Sequence, residues 1–325
     1  MGVNRGMGLS TEKTFKYVEA HEGLIELSPA QQKQLQRVLL EMVGDIVSVC
    51  EANDISYTLS GGTCLGAIRH HGFIPWDDDA DINILRRDYA RFNECMEKTF
   101  PGKYTLHVPS ETPGYEGSLG RVRLNGTSVR STEDLALVEG YGAYVDLFIL
   151  ESVPDFAPAR YVQGFFSMVL GFARSCRKYA AYEDSYLDML SNDPEGAALI
   201  RKKARIGRVF SFFSVEKWAR MWDRWNSLCN DNESEYLSIP AGRKHYFGEL
   251  YRREDFFPVS WGTFEGMRVP LPAHPAVYMQ ALYGPDYMTP PPVEEREHHV
   301  VLEFDLGERG EAGSDACSEA TLAES

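Results

Sequence analysis

No two of the six cysteines (Cys50, Cys64, Cys95, Cys176, Cys229 and Cys317) form a C-x-x-C pair. That absence gives no sign of a zinc knuckle or a disulfide framework, so they read as reduced thiols of a cytoplasmic protein. An excess of basic residues is also lacking. Thirty-three Lys and Arg face 48 Asp and Glu, a net charge of −15. General nucleic-acid binding needs basic surface to meet phosphates and is excluded on that ground. A small phosphate-bearing substrate is not excluded, because a bound cation reverses the local field. Part of the acidity is peripheral: residues 303–325 hold seven acids and one arginine. The most apolar window, YVQGFFSMVLGFA at 161–173, falls well short of the roughly 20 residues a bilayer span needs. It reads as a buried helix, with a helix resting on a membrane surface as the second reading. The first residues carry no apolar signal-peptide core.

What is present reads as α/β. Ser28-Pro29 starts a helix, and Leu35, Val38, Leu39, Met42, Val43, Ile46 and Val47 then recur on one face. ISYTL reads as a strand, SGG as a turn suited to glycine, TCLGAIRHH as a short helix and DADINIL as the next strand. RRDYARFNECMEKTF is a helix. Strands follow at 104–108, 119–124 and 142–150. From about 156 to 230 the pattern is helical, and Trp218, Trp222 and Trp225 share a helix face as core residues. GTFEGMRVPLP resembles a hairpin with Gly266 at its tip, HPAVYMQALYG a last helix, and PDYMTPPPVEEREHH an extended segment. The expected organisation is an N-terminal extension (1–27), a folded domain (28–306) with an α/β core to about 155 and a mainly helical part after it, and a disordered acidic tail (307–325).

The chemistry concentrates in WDDDADINIL. If 77–85 is extended, Asp77, Asp79, Asp81 and Asn83 share one face, while Asp78 falls on the other with Ala80, Ile82 and Ile84. Carboxylates so close repel unless cations relieve them, and hard oxygen ligands suit Mg²⁺ or Mn²⁺. The glycine spacing of a Ca²⁺ loop is absent. Asp146 is the lone charge inside the apolar strand YVDLFIL, so it should bind metal or pair with a cation. Two adjacent strands would bring Asp79, Asp81 and Asp146 to one point, as phosphoryl or nucleotidyl transfer requires. LSGGT ends a strand and opens a helix, so its backbone N–H groups suit a phosphate, with Arg69 in reach of the same anion. Arg121 and Arg123 are weaker phosphate candidates. His70-His71 and His298-His299 are poor zinc candidates, and Trp76 reads as a packing residue.

SGGTCLGAIRHHGFIPWDDDADINILRRDYARF is similar to the signature of LicD-type phosphotransferases, which also include fukutin and its relatives. The resemblance extends through YVDLFILESVP, FEGMRVPLP and ALYGPDYMTPPP, over roughly residues 30–300. It implies a nucleotidyltransferase-like mixed sheet with flanking helices, and transfer of a phospho-alcohol such as phosphocholine from a CDP-linked alcohol donor. The acceptor is a hydroxyl of a glycan or lipid-linked glycan, on lipopolysaccharide or teichoic acid. Carried over, Asp79, Asp81 and Asp146 are catalytic and, with Asp77, hold the metal. Gly61, Gly62, Thr63 and Arg69 hold phosphate. A choline payload would need an aromatic cage, for which Trp76, Tyr283 and Tyr287 are available. Cys64 stands where the family more often has an aliphatic residue, a change of packing only, and the cysteine pattern shows no zinc-binding insertion. Two other readings stay open: nucleotidyl transfer at the α-phosphorus of a nucleoside triphosphate, and a non-catalytic glycan- or choline-binding protein on the same fold. The expected location is cytoplasmic, with peripheral contact at the inner face of a membrane.

Overall fold

Ser28 caps the first long helix through a reciprocal pair: its hydroxyl accepts the Gln31 N–H at 3.3 Å, and the Gln31 side chain accepts the Ser28 N–H at 3.0 Å. The computed structural model describes residues 23–109, 111–137, 139–296 and 300–311. In chain order the first half comprises β1 (Ile25–Glu26), α1 (Pro29–Ala52), β2 (Tyr57–Leu59), α2 (Gly61–Arg69), β3 (Asp81–Leu85), α3 (Arg86–Thr99), β4 (Tyr104–His107), β5 (Gly120–Leu124), β6 (Ser128–Ser131) and β7 (Tyr144–Val153). Then follow α4 (Ala157–Ala181), α5 (Glu183–Met189), α6 (Pro194–Gly207), α7 (Val215–Asn226), β8 (Tyr236–Ser238), α8 (His245–Gly248), β9 (Leu250–Arg252), α9 (Arg253–Phe256), β10 (Ser260–Phe264), β11 (Met267–Leu271), α10 (Pro275–Tyr283), β12 (Val300–Asp305) and α11 (Glu308–Glu311).

The main sheet runs β2-β3-β7-β5-β4, with β8 and β9 extending from the far end of β7. Only β3 and β7 are parallel, so the sheet is mixed. Parallel neighbours need a crossover, and α3 with β4–β6 supplies it. The seven apolar positions of α1 read from the sequence are all buried, in one core with Ile82, Ile84, Val122 and Leu147. Trp218 and Trp222 are buried on α7 as their spacing predicts. The β10–β11 hairpin turns at Gly266, whose φ of +81° is the left-handed conformation a glycine tip supplies.

Three features differ from the sequence reading. First, β1 and β6 flank β12 in a small separate sheet, so the chain from Gly23 onward already belongs to the fold. Second, the fold continues past Gly307: the Gln34 side chain donates to the Gly310 carbonyl at 3.1 Å and Arg309 pairs with Glu41 at 3.5 Å. The rest of the tail and His298-His299 lie outside the described residues. Third, α4 is not buried as its apolar content suggests. It turns Gln163, Gly164 and Ser167 inward and leaves Tyr161, Val162, Phe165 and Phe166 exposed. The inward face is fixed by hydrogen bonds: Gln163 donates to the Asn226 carbonyl (3.1 Å), Trp225 Nε1 to the Gln163 carbonyl (2.8 Å) and Trp222 Nε1 to Ser167 Oγ (3.3 Å). A window's hydropathy does not say which side a helix buries.

Candidate active site

The glycine turn exists because carboxylates lie against it. A Cβ on Gly61 would stand 2.5 Å from Asp81 Oδ2, and one on Gly62 would stand 2.7 Å from Asp77 Oδ2. Gly61 also has φ +45°. Ser60 N–H donates to the Asp81 carbonyl at 3.0 Å, and Asp81 N–H donates to Thr63 Oγ1 at 2.8 Å. These two bonds clamp the turn to the start of β3. Tyr278, on α10, closes it from the other side: its hydroxyl lies 2.9 Å from Ser60 Oγ and accepts the Gly61 N–H at 3.2 Å. Tyr278 escaped the sequence reading, which had no signal for a contact spanning 218 residues.

Strand register supplies the rest. Asp81 on β3 stands beside Asp146 on β7, which stands beside Arg121 on β5, so three charges form a row across three strands. Arg121 Nε donates to Asp146 Oδ1 at 2.6 Å, and Arg121 and Arg123 both donate to Asp134, at 3.0 and 2.7 Å. Burial lifts the Asp146 carboxyl above the usual carboxylate range, against the pull of Arg121. Burial likewise opposes the charge on Arg121, but Asp146 and its neighbours win and hold it charged. Arg123 is buried against Asp134 and the Gly142 carbonyl, so it does not serve as a phosphate ligand.

Asp77, Asp78 and Asp79 precede β3 and are not strand-paired, so the expected alternation begins only at Asp81. Asp78 therefore does not join the core face. One carboxylate oxygen from each of the three half-buried acids lies within 4.8 Å of the others. Asp77, Asp79, Asp81 and Asp146 all line one cavity of about 580 Å³, together with Gly61 and Gly62. Arg69 lines it too, and donates to the Tyr287 carbonyl at 2.9 Å. Burial lowers its pKa, against the pull of Tyr283 and Asp77. Thr63 does not line the cavity: it is buried, and its hydroxyl accepts the Asp81 N–H. Trp76, Tyr283 and Tyr287 do line it, and Arg296 lies 4.0 Å above the Trp76 ring. Asp79 and Asp146 also border a second cavity of about 390 Å³, with Arg121, Arg174 and Lys178 on its wall. No local pattern of residues announces that chamber.

Residues 54–124 match the model of the LicD/FKTN/FKRP nucleotidyltransferase domain. Those residues are similar to a LicD-family domain. The lipopolysaccharide cholinephosphotransferase LicD of Haemophilus influenzae is 24% identical over 273 residues, which cover 83% of this chain and 96% of that protein. The human ribitol 5-phosphate transferase FKRP is 46% identical over 52 residues, covering 16% of this chain but 10% of FKRP. An uncharacterized Rickettsia typhi protein is 35% identical over 89 residues, covering 25% of this chain and 29% of its own. The LicD-family match contains the glycine turn, Asp77, Asp79, Asp81 and Arg121 but stops before Asp146 and Tyr278, which the fold brings to the same place.

Proposed function

We propose that this protein is a phosphotransferase that moves a phospho-alcohol from a CDP-linked donor to a hydroxyl of a cell-surface or lipid-linked glycan. The observation that carries the reading is the convergence of four carboxylates and a two-glycine helix start on one cavity. Similarity to LicD along nearly that protein's whole length supports the reaction class. Phosphocholine is the favoured payload, because the cavity wall combines Trp76, Tyr283 and Tyr287 with Asp286 and Glu295, a setting that suits a quaternary ammonium.

Clustered carboxylate oxygens with no soft ligand fit a hard divalent ion, Mg²⁺ or Mn²⁺, held by Asp77, Asp79, Asp81 and Asp146. Such an ion neutralises the diphosphate and polarises its phosphorus. The chain's own groups do the rest. The first-turn N–H of Gly62, on the cavity wall, belongs to the helix end that has no intrahelical acceptor, and it would meet a phosphate there. Arg69 adds a cation on the same wall. Arg121 holds Asp146 in place. The acceptor hydroxyl oxygen bonds to the phosphorus that bears the alcohol, the bond from that phosphorus to the bridging oxygen breaks, CMP departs with the bonding pair, and the hydroxyl proton passes to a carboxylate of the cluster.

The test is CMP release from CDP-choline and CDP-ribitol in Mg²⁺ or Mn²⁺, with crude lipopolysaccharide or teichoic acid as acceptor, beside Asp79→Ala. Metal-dependent release from one donor is expected, with a loss on the order of a hundredfold or more in the variant. The domain's description as a nucleotidyltransferase keeps one other reaction in view. Pyrophosphate release from a nucleoside triphosphate, with no CMP from either donor, would replace the present reading by that one. Ligand binding that Asp79→Ala leaves intact, without either product, would point instead to a binding protein.

A further inference from the structure

The outer face of α4 is built the wrong way round for a helix in water. Tyr161 is 65% exposed, Phe165 59%, Val162 53% and Phe166 44%, while Gln163 and Ser167 are 6% and 2% exposed. Met168, Val169 and Phe172 continue the exposed stripe, which Phe156 begins. From Phe156 to Phe172 it runs about 24 Å along the helix axis. Monomeric soluble proteins rarely expose so continuous an apolar surface without a use for it. The hydrogen bonds from α7 that hold Gln163 and Ser167 inward leave α4 no freedom to roll this stripe into the core.

The neighbours say what covers it. α4 packs against α6 and α7. Residues 194–228, which span those helices, hold eight Lys and Arg against three Asp and Glu, within a chain whose net charge is −15. Arg201, Lys202, Arg205, Arg208 and Lys217 are exposed, and so are Val209 and Phe212 at the turn between α6 and α7. Apolar side chains flanked by cations, on a protein otherwise acidic, complement an anionic lipid surface. They do not complement a second copy of the same face, whose charges would repel.

We propose that α4, with the basic segment 194–228, docks this protein on an anionic membrane surface. Phe165, Phe166 and Phe172 enter the headgroup boundary, and Lys202 and Arg205 meet the phosphates. This is independent of which group the active site transfers. The inner face of the same helix carries Arg174 and Lys178 on the wall of the chamber that reaches Asp79 and Asp146. Docking therefore sets that chamber one helix diameter, about 10 Å, from the lipid.

The test is flotation of the full chain with vesicles of phosphatidylcholine alone and of phosphatidylcholine mixed with phosphatidylglycerol. Two variants run beside it: Phe165→Ser/Phe166→Ser/Phe172→Ser and Lys202→Glu/Arg205→Glu. All five positions are exposed, so folding, checked by circular dichroism, should survive. Binding is expected only to the anionic vesicles, weakened by high salt and reduced at least about tenfold in each variant. No wild-type binding, or equal binding by the variants, overturns the proposal. So does a concentration-dependent dimer that the triple serine variant abolishes in the absence of vesicle binding, which would assign the face to a second copy.

Discussion

The side chain that matters most at the glycine turn is the one that is missing. At Gly61 two reasons coincide, a positive φ and the approach of Asp81, so a substitution there confounds backbone strain with crowding. Gly62 separates them, because only the approach of Asp77 applies. The atom in the way is the tip of a side chain half open to solvent, which moves aside at little cost to the fold. Gly62→Ala should therefore leave the melting temperature within a few degrees of wild type. It should nevertheless lower phospho-transfer about a hundredfold, because a 1 Å misplacement of a catalytic group costs that much. Parallel thermal melts and CMP-release assays check it; equal losses in both would mean that Gly62 serves the fold and not the site.

At the level of elements, the strands that carry chemistry were legible where alternation or an isolated charge marked them. The run DADINIL announced β3, and a lone acid among apolar residues announced β7 and the need for a partner. That the partner is Arg121 follows from register between strands distant in sequence, which no local pattern encodes. Short strands such as β8 and β9 escaped because three residues hold too little periodicity to read. The two glycines were legible as a turn, but that the Thr63 hydroxyl faces β3 and accepts the Asp81 N–H was not, because a hydroxyl beside such a turn looks the same whichever way it faces. Tyr278 was invisible for the same reason as Arg121: α10 meets α2 only in three dimensions. Tyr278→Phe should strand the Ser60 hydroxyl and the Gly61 N–H without their partner, destabilising the chain by about 1–3 kcal/mol. Urea titration measures that loss. A larger fall in transfer rate than in stability is expected, since the turn it holds carries the site.

For the molecule as a whole, acid is the vulnerable direction. His107 on β4 is buried, and that burial, with Arg123 adding to it, holds its pKa down to about 4 from the usual 6.5. The folded protein thus resists a proton that the unfolded chain accepts readily. The stabilisation is fully present above pH 6.5 and is lost as pH falls from 6.5 towards 4, about 3 kcal/mol in all. Urea denaturation at pH 7 and pH 4.5 should show this loss, and His107→Gln should shrink it; an unchanged difference would assign the acid sensitivity to other groups. The Tyr278 contact also has a temporal side. During synthesis the two glycines leave the ribosome more than two hundred residues before the hydroxyl that fixes the turn, which lies 217 residues beyond Gly61. The nascent chain therefore carries its reactive groups for most of its production without the geometry to use them. A chain truncated before α10 lacks the Tyr278 contact and is expected to be inert instead of wasteful.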